Sequence, residues 1–208
     1  MTSSLLQTFR RVLFVGLLIT MWAFAVYASP VVTWTGGTYV QSSWQQTVGW
    51  SFTANQTISV SDLEWYDPSG TNLLQHVVDI WTGSGVLVGT ACVGSGCAGS
   101  SWAAGYWQTP VSVSLAAGPY DIAGWVDVGD SFVWFGSTVA TDPSITFNMP
   151  VFLHSTSTAF PGSNTCCGSI GFFGPNFTEG TTPEPATMVL FGSGIIGLAG
   201  VLRRKINL

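Results

Sequence analysis

The sequence predicts an all-β protein: an antiparallel β-sandwich or jelly-roll ectodomain between an N-terminal signal helix and a single C-terminal transmembrane helix. Three observations carry this. Segments such as "QTVGWSFTA" alternate apolar and polar residues with the two-residue period of a strand. Gly, Pro, Ser and Asn clusters interrupt these segments at roughly 8–12-residue spacing, the rhythm of sandwiches. No stretch between residues 29 and 182 keeps helical amphipathic spacing.

Taken in order, residues 1–28 read as a signal peptide. Arg10 and Arg11 supply the basic region, "VLFVGLLITMWAFAV" the apolar core, and "VYAS" small residues that place cleavage between Ala28 and Ser29. Residues 29–172 form the ectodomain. In "QTVGWSFTA", Val48, Trp50 and Phe52 share one face, opposite Thr47, Ser51 and Thr53. "TISVSDLEWY" changes phase between Val60 and Leu63, which predicts a β-bulge near Ser61–Asp62. In "HVVDIWTG", His76 shares the phase of Val78 and Ile80 and reads as a structural residue at a sheet edge. "GVLVGTA", "VSVSL", "YDIAGWVDV", "SFVWFGS" and "SITFNM" complete an expected nine or ten strands. The Gly- and Pro-rich stretch 173–182 reads as a linker, and 183–208 as a terminal unit: "PEP", an uncharged helix over 186–202 and a basic tail over 203–205. At about 1.5 Å per residue that helix spans about 26 Å, just short of a hydrocarbon core. The basic residues after it leave the ectodomain outside the membrane.

Charge narrows the function. All Lys and Arg lie at the two ends, while residues 29–182 hold nine carboxylates and no Lys or Arg. Such a surface repels phosphate backbones, so nucleic acid is excluded as a partner. Its carboxylates must be solvated, bonded to backbone amides, or bound to a cation. There is no G-x-S-x-G, no H-E-x-x-H and no phosphate-binding loop with a following Lys. His76 and His154 are the only histidines, and both read as structural. The expectation is therefore a protein that is not an enzyme.

Four local features are candidate sites. "DPSG" at 67–70 matches a type I turn, and its second reading is a structural Ca2+ site using Asp67 and Asn72. "SSWAAGYWQTP" gathers Trp102, Tyr106 and Trp107, either as core packing or as a platform for sugar rings. Export makes disulfides expected: Cys92 and Cys97 flank a flexible "VGSG" and are the favoured pair among three possible full pairings with Cys166 and Cys167. Asp62, Glu64 and Asp67 cluster in one strand and turn, a poor arrangement for two carboxyl groups facing across a glycosidase cleft.

The C-terminal unit carries a specific resemblance. Pro183, Glu184 and Pro185, the glycine-rich apolar helix, and Arg203, Arg204 and Lys205 resemble the PEP-CTERM sorting signal of Gram-negative bacteria. The resemblance implies export, an inner-membrane-anchored precursor, recognition by exosortase, cleavage near 183–185, and delivery to the cell surface or an extracellular polysaccharide matrix. The body, through "AAGPYDIAGW" and "FFGPNF" among others, is similar to β-sandwich ectodomains common in such proteins, with no catalytic residues to carry over. The expected function is a non-enzymatic surface or matrix protein. A carbohydrate-binding module for exopolysaccharide is the second reading, and a glycoside hydrolase the third.

Overall fold

The computed structural model describes residues 29–71, 74–134, 138–162 and 171–180; the signal segment, Asn72, Cys166, Cys167 and the terminal unit lie outside them. The described chain is all-β with antiparallel sheets, and its larger sheets pack as in a β-sandwich. One sheet has five strands in the order β12 (Ile145–His154), β3 (Gln46–Ala54), β9 (Gly118–Val126), β5 (Gln75–Thr82) and β6 (Leu87–Gly94). The other has four: β14 (Pro175–Glu179), β4 (Ile58–Tyr66), β8 (Tyr106–Leu115) and β7 (Ser101–Ala103). Two smaller sheets cover their ends. One pairs β1 (Val32–Thr35) with β11 (Thr138–Thr141); the other orders β13 (Phe172–Phe173), β10 (Ser131–Trp134) and β2 (Thr38–Gln41).

Strand periodicity places the core between the two large sheets. Val48, Trp50 and Phe52 from β3 are fully buried, as their phase predicts, and meet Phe177 of β14, whose ring lies 5.3 Å from Phe52 and 6.0 Å from Trp50. The phase slip in β4 is a bulge: against β14, Val60 pairs with Glu179 and Asp62 with Thr178, leaving Ser61 as the extra residue and returning Leu63 and Trp65 to the core. The opposite phase of β3 and β5 is only partly exposed, unlike the simple alternation expected. Segment 155–162 crosses that face: Thr47 Oγ1 bonds Ser155 Oγ at 3.0 Å and accepts from Ala159 N, and Phe160 packs 6.2 Å from Trp81. Thr47 and Trp81 are buried beneath it, and Asp79 and Asp121 are buried in the same sheet.

Two expectations are corrected. Residues 173–180 are not linker. Phe173 and Phe177 are fully buried, β14 pairs along β4, and Gly180 N still donates to Ser59 O at 2.8 Å. Three phenylalanines in a short run drive this burial, and Pro175 is tolerated because it opens an edge strand. His76 is not at a sheet edge either, since β5 lies between β9 and β6.

The same edge brings the two ends of the domain together. Pro30 pairs antiparallel with Thr178, and Val31 N donates to Phe177 O at 3.0 Å. Residues entering at 29 and leaving at 180 therefore lie side by side at one pole, with Ala54 and Ile145. At the far end of β3, Gln46 pairs with His154, eight residues or about 26 Å away.

Candidate functional site

In a domain without Lys or Arg, the carboxylates show what the fold does with charge that no Lys or Arg neutralises. Asp67 is buried but satisfied: Ser69 N and Ser69 Oγ donate to Oδ1 at 3.1 and 2.8 Å, and Trp107 Nε1 donates to Oδ2 at 3.2 Å. Asp127, Asp130 and Asp142 likewise accept from the backbone amides of Val128, Ser131 and Ser144. A second group is held towards its protonated form. Burial pushes the Glu64 carboxyl up to about 8, against one hydrogen bond from Gln108 Nε2 at 2.7 Å and with Asp62 adding repulsion. Glu64 Oε2 has no hydrogen-bond partner. Burial also raises Asp121 to about 6 and lifts Asp79 above the ordinary carboxylate range. Besides solvation, amides and a cation, protonation is a fourth way for this domain to hold a carboxyl group.

His76 is fully buried, stacked on Trp65 with ring centroids 3.7 Å apart. Its Nδ1 lies 3.3 Å from both Trp125 O and Asp130 Oδ2, so the neutral ring carries its proton there. Burial lowers its pKa to about 4, outweighing the Trp125 carbonyl and the Asp67 charge, both of which raise it.

The residues singled out from the sequence fall in different places. "DPSG" forms the expected turn, with Gly70 N donating to Asp67 O and Gly70 at φ 64°. Both Asp67 oxygens face protein donors, and Asn72 lies outside the described residues. Among the described residues there is no group of three metal-ligating side chains. Cys92 and Cys97 form the favoured disulfide, their Cα atoms 5.5 Å apart.

Trp102, Tyr106 and Trp107 do come together, on a tight hairpin. Ala104 and Gly105 form its tip with positive φ (50° and 90°), the two-residue turn whose twist suits a hairpin. It sets Trp102 opposite Trp107 and Trp107 opposite Trp65. Tyr106 points to the other face, 8% exposed, edge-on to Tyr66 (5.3 Å) and Trp34 (6.1 Å). Trp102 is 43% exposed, but its Nε1 donates to Asp67 O at 2.9 Å and its ring covers Gly70, where even a Cβ would meet it at 2.8 Å. These aromatics clamp the Asp67 turn.

A different aromatic site was not read from the sequence. At the pole away from the chain ends, a groove of about 410 Å3 is lined by Trp44, Phe132, Trp134, Phe152, His154 and Phe172, with Ser42, Ser43 and Gln46 among its polar walls. Trp44 is 65% exposed and lies edge-on to His154, 5.8 Å away. A shallower hollow of about 590 Å3 shares Ser43, Trp44 and His154 and continues to Val128 and Thr156. Ser42 fixes the loop. Its Oγ donates to Trp44 O at 2.6 Å and accepts from Trp44 N and Gln46 Nε2, its N donates to Asp130 O, and its carbonyl accepts from Gly129 N. Asp130 is the carboxylate beside His76, so the buried pair stands behind the loop that carries Trp44. Among the described lining residues His154 is the only titratable one. The signal available in the sequence was "QSSWQQ", a lone Trp in a polar turn, which does not show what surrounds it.

Residues 181–205 match the family profile of the PEP-CTERM protein-sorting motif, and the chain carries that motif. Pro183, Glu184, Pro185, Arg203, Arg204 and Lys205 all fall inside the matched stretch. No curated protein and no solved structure matches the chain.

Proposed function

We propose, from the PEP-CTERM motif at its C-terminal end, that this chain is a non-enzymatic protein of the cell surface or extracellular matrix of a Gram-negative bacterium. It is sorted as an inner-membrane-anchored precursor and processed by exosortase. The matched motif is the observation that carries the reading. The domain's geometry supports it. Entry at residue 29 and exit at residue 180 lie side by side at one pole, which suits a precursor held at one membrane through its hydrophobic end segments. The motif begins one residue after the last backbone bond to β4. A cut at 183–185 therefore lies within about 10–18 Å of the folded sheet, since extended chain gains at most about 3.6 Å per residue.

Intact mass spectrometry of the mature protein tests this. The expected chain runs from Ser29 to the neighbourhood of Pro183–Pro185; a mature pool that keeps Leu208 refutes it. A 12-residue Gly/Ser insert after Gly180 sharpens the test, because processing at a crowded pole should speed up when the cut site moves away. An unchanged rate would separate cleavage from the folded domain.

The groove favours a second reading, in which the exported domain contacts polysaccharide. Aromatic side chains with a neutral polar rim suit the apolar faces and hydroxyl edges of sugars. Structural Ca2+ at Asp67 and Asn72 is kept as a subsidiary proposal. A thermal melt that does not move with added Ca2+ would end it.

A further inference from the structure

The loop that carries Trp44 is anchored through Ser42, where the chain leaves the β2–β10 ladder. Five hydrogen bonds converge on Ser42, and behind them stands the buried Asp130–His76 pair. Trp44 itself is 65% exposed, so its indole adds little to the core. Holding an aromatic surface in place before a ligand arrives lowers the entropy lost on binding.

We infer that the Trp44 groove binds a neutral polysaccharide strand, with the indole as stacking platform and the hollows on its two sides as consecutive sugar subsites. This deepens the second reading above and rests on it. The shape argues for a strand rather than a compact ligand: Ser43, Trp44 and His154 line both hollows, about 410 and 590 Å3, so the two adjoin at Trp44. The charge argues for a neutral one. Residues 29–182 contain no Lys or Arg, and Asp127 lies close by, accepting from Gln45 Nε2 at 3.0 Å. A polyanion would meet repulsion and no countercharge. The rim offers uncharged polar groups for sugar hydroxyls from Gln41, Ser43 and Thr156, with the His154 ring beside Trp44. The position fits as well, because the groove lies at the pole opposite residues 29 and 180, through which the precursor's end segments would reach a membrane.

Affinity electrophoresis of the full-length chain in neutral detergent tests the inference, with gels containing mixed-linkage β-glucan, galactomannan or the polyanion alginate. The expected result is retardation in a neutral gel and none in alginate. Trp44→Ala should weaken the neutral interaction at least about tenfold, the behaviour of a central aromatic anchor, while Trp102→Ala changes it less than about twofold. Unchanged far-ultraviolet circular dichroism shows that the Trp44 variant remains folded. Retardation that survives Trp44→Ala and disappears with Trp102→Ala overturns the groove and leaves polysaccharide contact standing. Retardation in alginate equal to that in the neutral gels overturns the charge argument. No retardation in either neutral gel overturns the groove and the second reading together.

Discussion

The β7–β8 hairpin and the Ser42–Trp44 loop both bring indoles to the surface, yet they use them in opposite ways. In the hairpin every aromatic is tied to the fold: Trp102 and Trp107 donate to Asp67, and Tyr106 packs against Tyr66 and Trp34. In the loop the polar groups are tied down and the aromatic is left open to solvent. The buried titratable groups behind the two regions differ too. Glu64, held towards its neutral acid, lies in the sheet beside the hairpin, bonded to Gln108. His76, held as its neutral base, lies behind the loop next to Asp130. An aromatic cluster in sequence therefore says little about binding until its hydrogen bonds and exposure are known.

The comparison breaks most readily at Tyr106. Tyr106→Ala should lower unfolding free energy by about 3–5 kcal/mol, the range for emptying a buried aromatic site, and denaturant titration would show it. A loss below about 1 kcal/mol would mean the hairpin is not part of the core.

Next come the two pH limbs. Glu64 is raised from 4.5 to about 8, so the folded state holds its proton more tightly. The stability it contributes is full below pH 4.5 and is lost as pH rises through 8, on the order of a few kcal/mol in all. His76 is lowered from 6.5 to about 4, so its contribution is full above pH 6.5 and is lost as pH falls towards 4. Glu64→Gln should flatten the alkaline limb of melting temperature against pH and leave the acid limb. His76→Gln should do the reverse. An alkaline limb that persists in Glu64→Gln would assign the titration elsewhere.

The disulfide belongs to the hairpin side, since Thr109 Oγ1 bonds Cys92 O and Ser100 Oγ accepts from Gly94 N. Replacing both Cys92 and Cys97 with Ser should lower stability by about 2 kcal/mol, as expected for so short a loop. The smallest change is expected at Trp44. Trp44→Ala should shift unfolding by no more than about 0.5 kcal/mol, because the side chain is mostly in water already. A shift as large as that of Tyr106→Ala would make Trp44 a structural residue and remove the contrast between the two regions.

Much of the fold could be read locally. The core face of β3, the bulge at Ser61 and the Asp67–Gly70 turn depend on neighbours within a few residues, and each was expected from them. The strands β13 and β14 were not, because Gly, Pro and Asn mask Phe172, Phe173 and Phe177 until β10 and β4 supply their partners. The groove was even less accessible. Its walls come from residues near 42, 132, 152 and 172, and no window of sequence contains more than one of them.

By itself, the sequence determined the strand pattern, the absence of any basic side chain between residues 29 and 182, and the sorting motif at the C-terminal end. These are properties of composition and short-range order. The tertiary structure alone decided that Trp102 is clamped while Trp44 is open, that Glu64 and Asp121 are pushed towards protonation, and that the domain's two ends leave together. The reason is that exposure, pKa and proximity depend on what covers a residue. In an antiparallel fold, the covering strands come from distant parts of the chain.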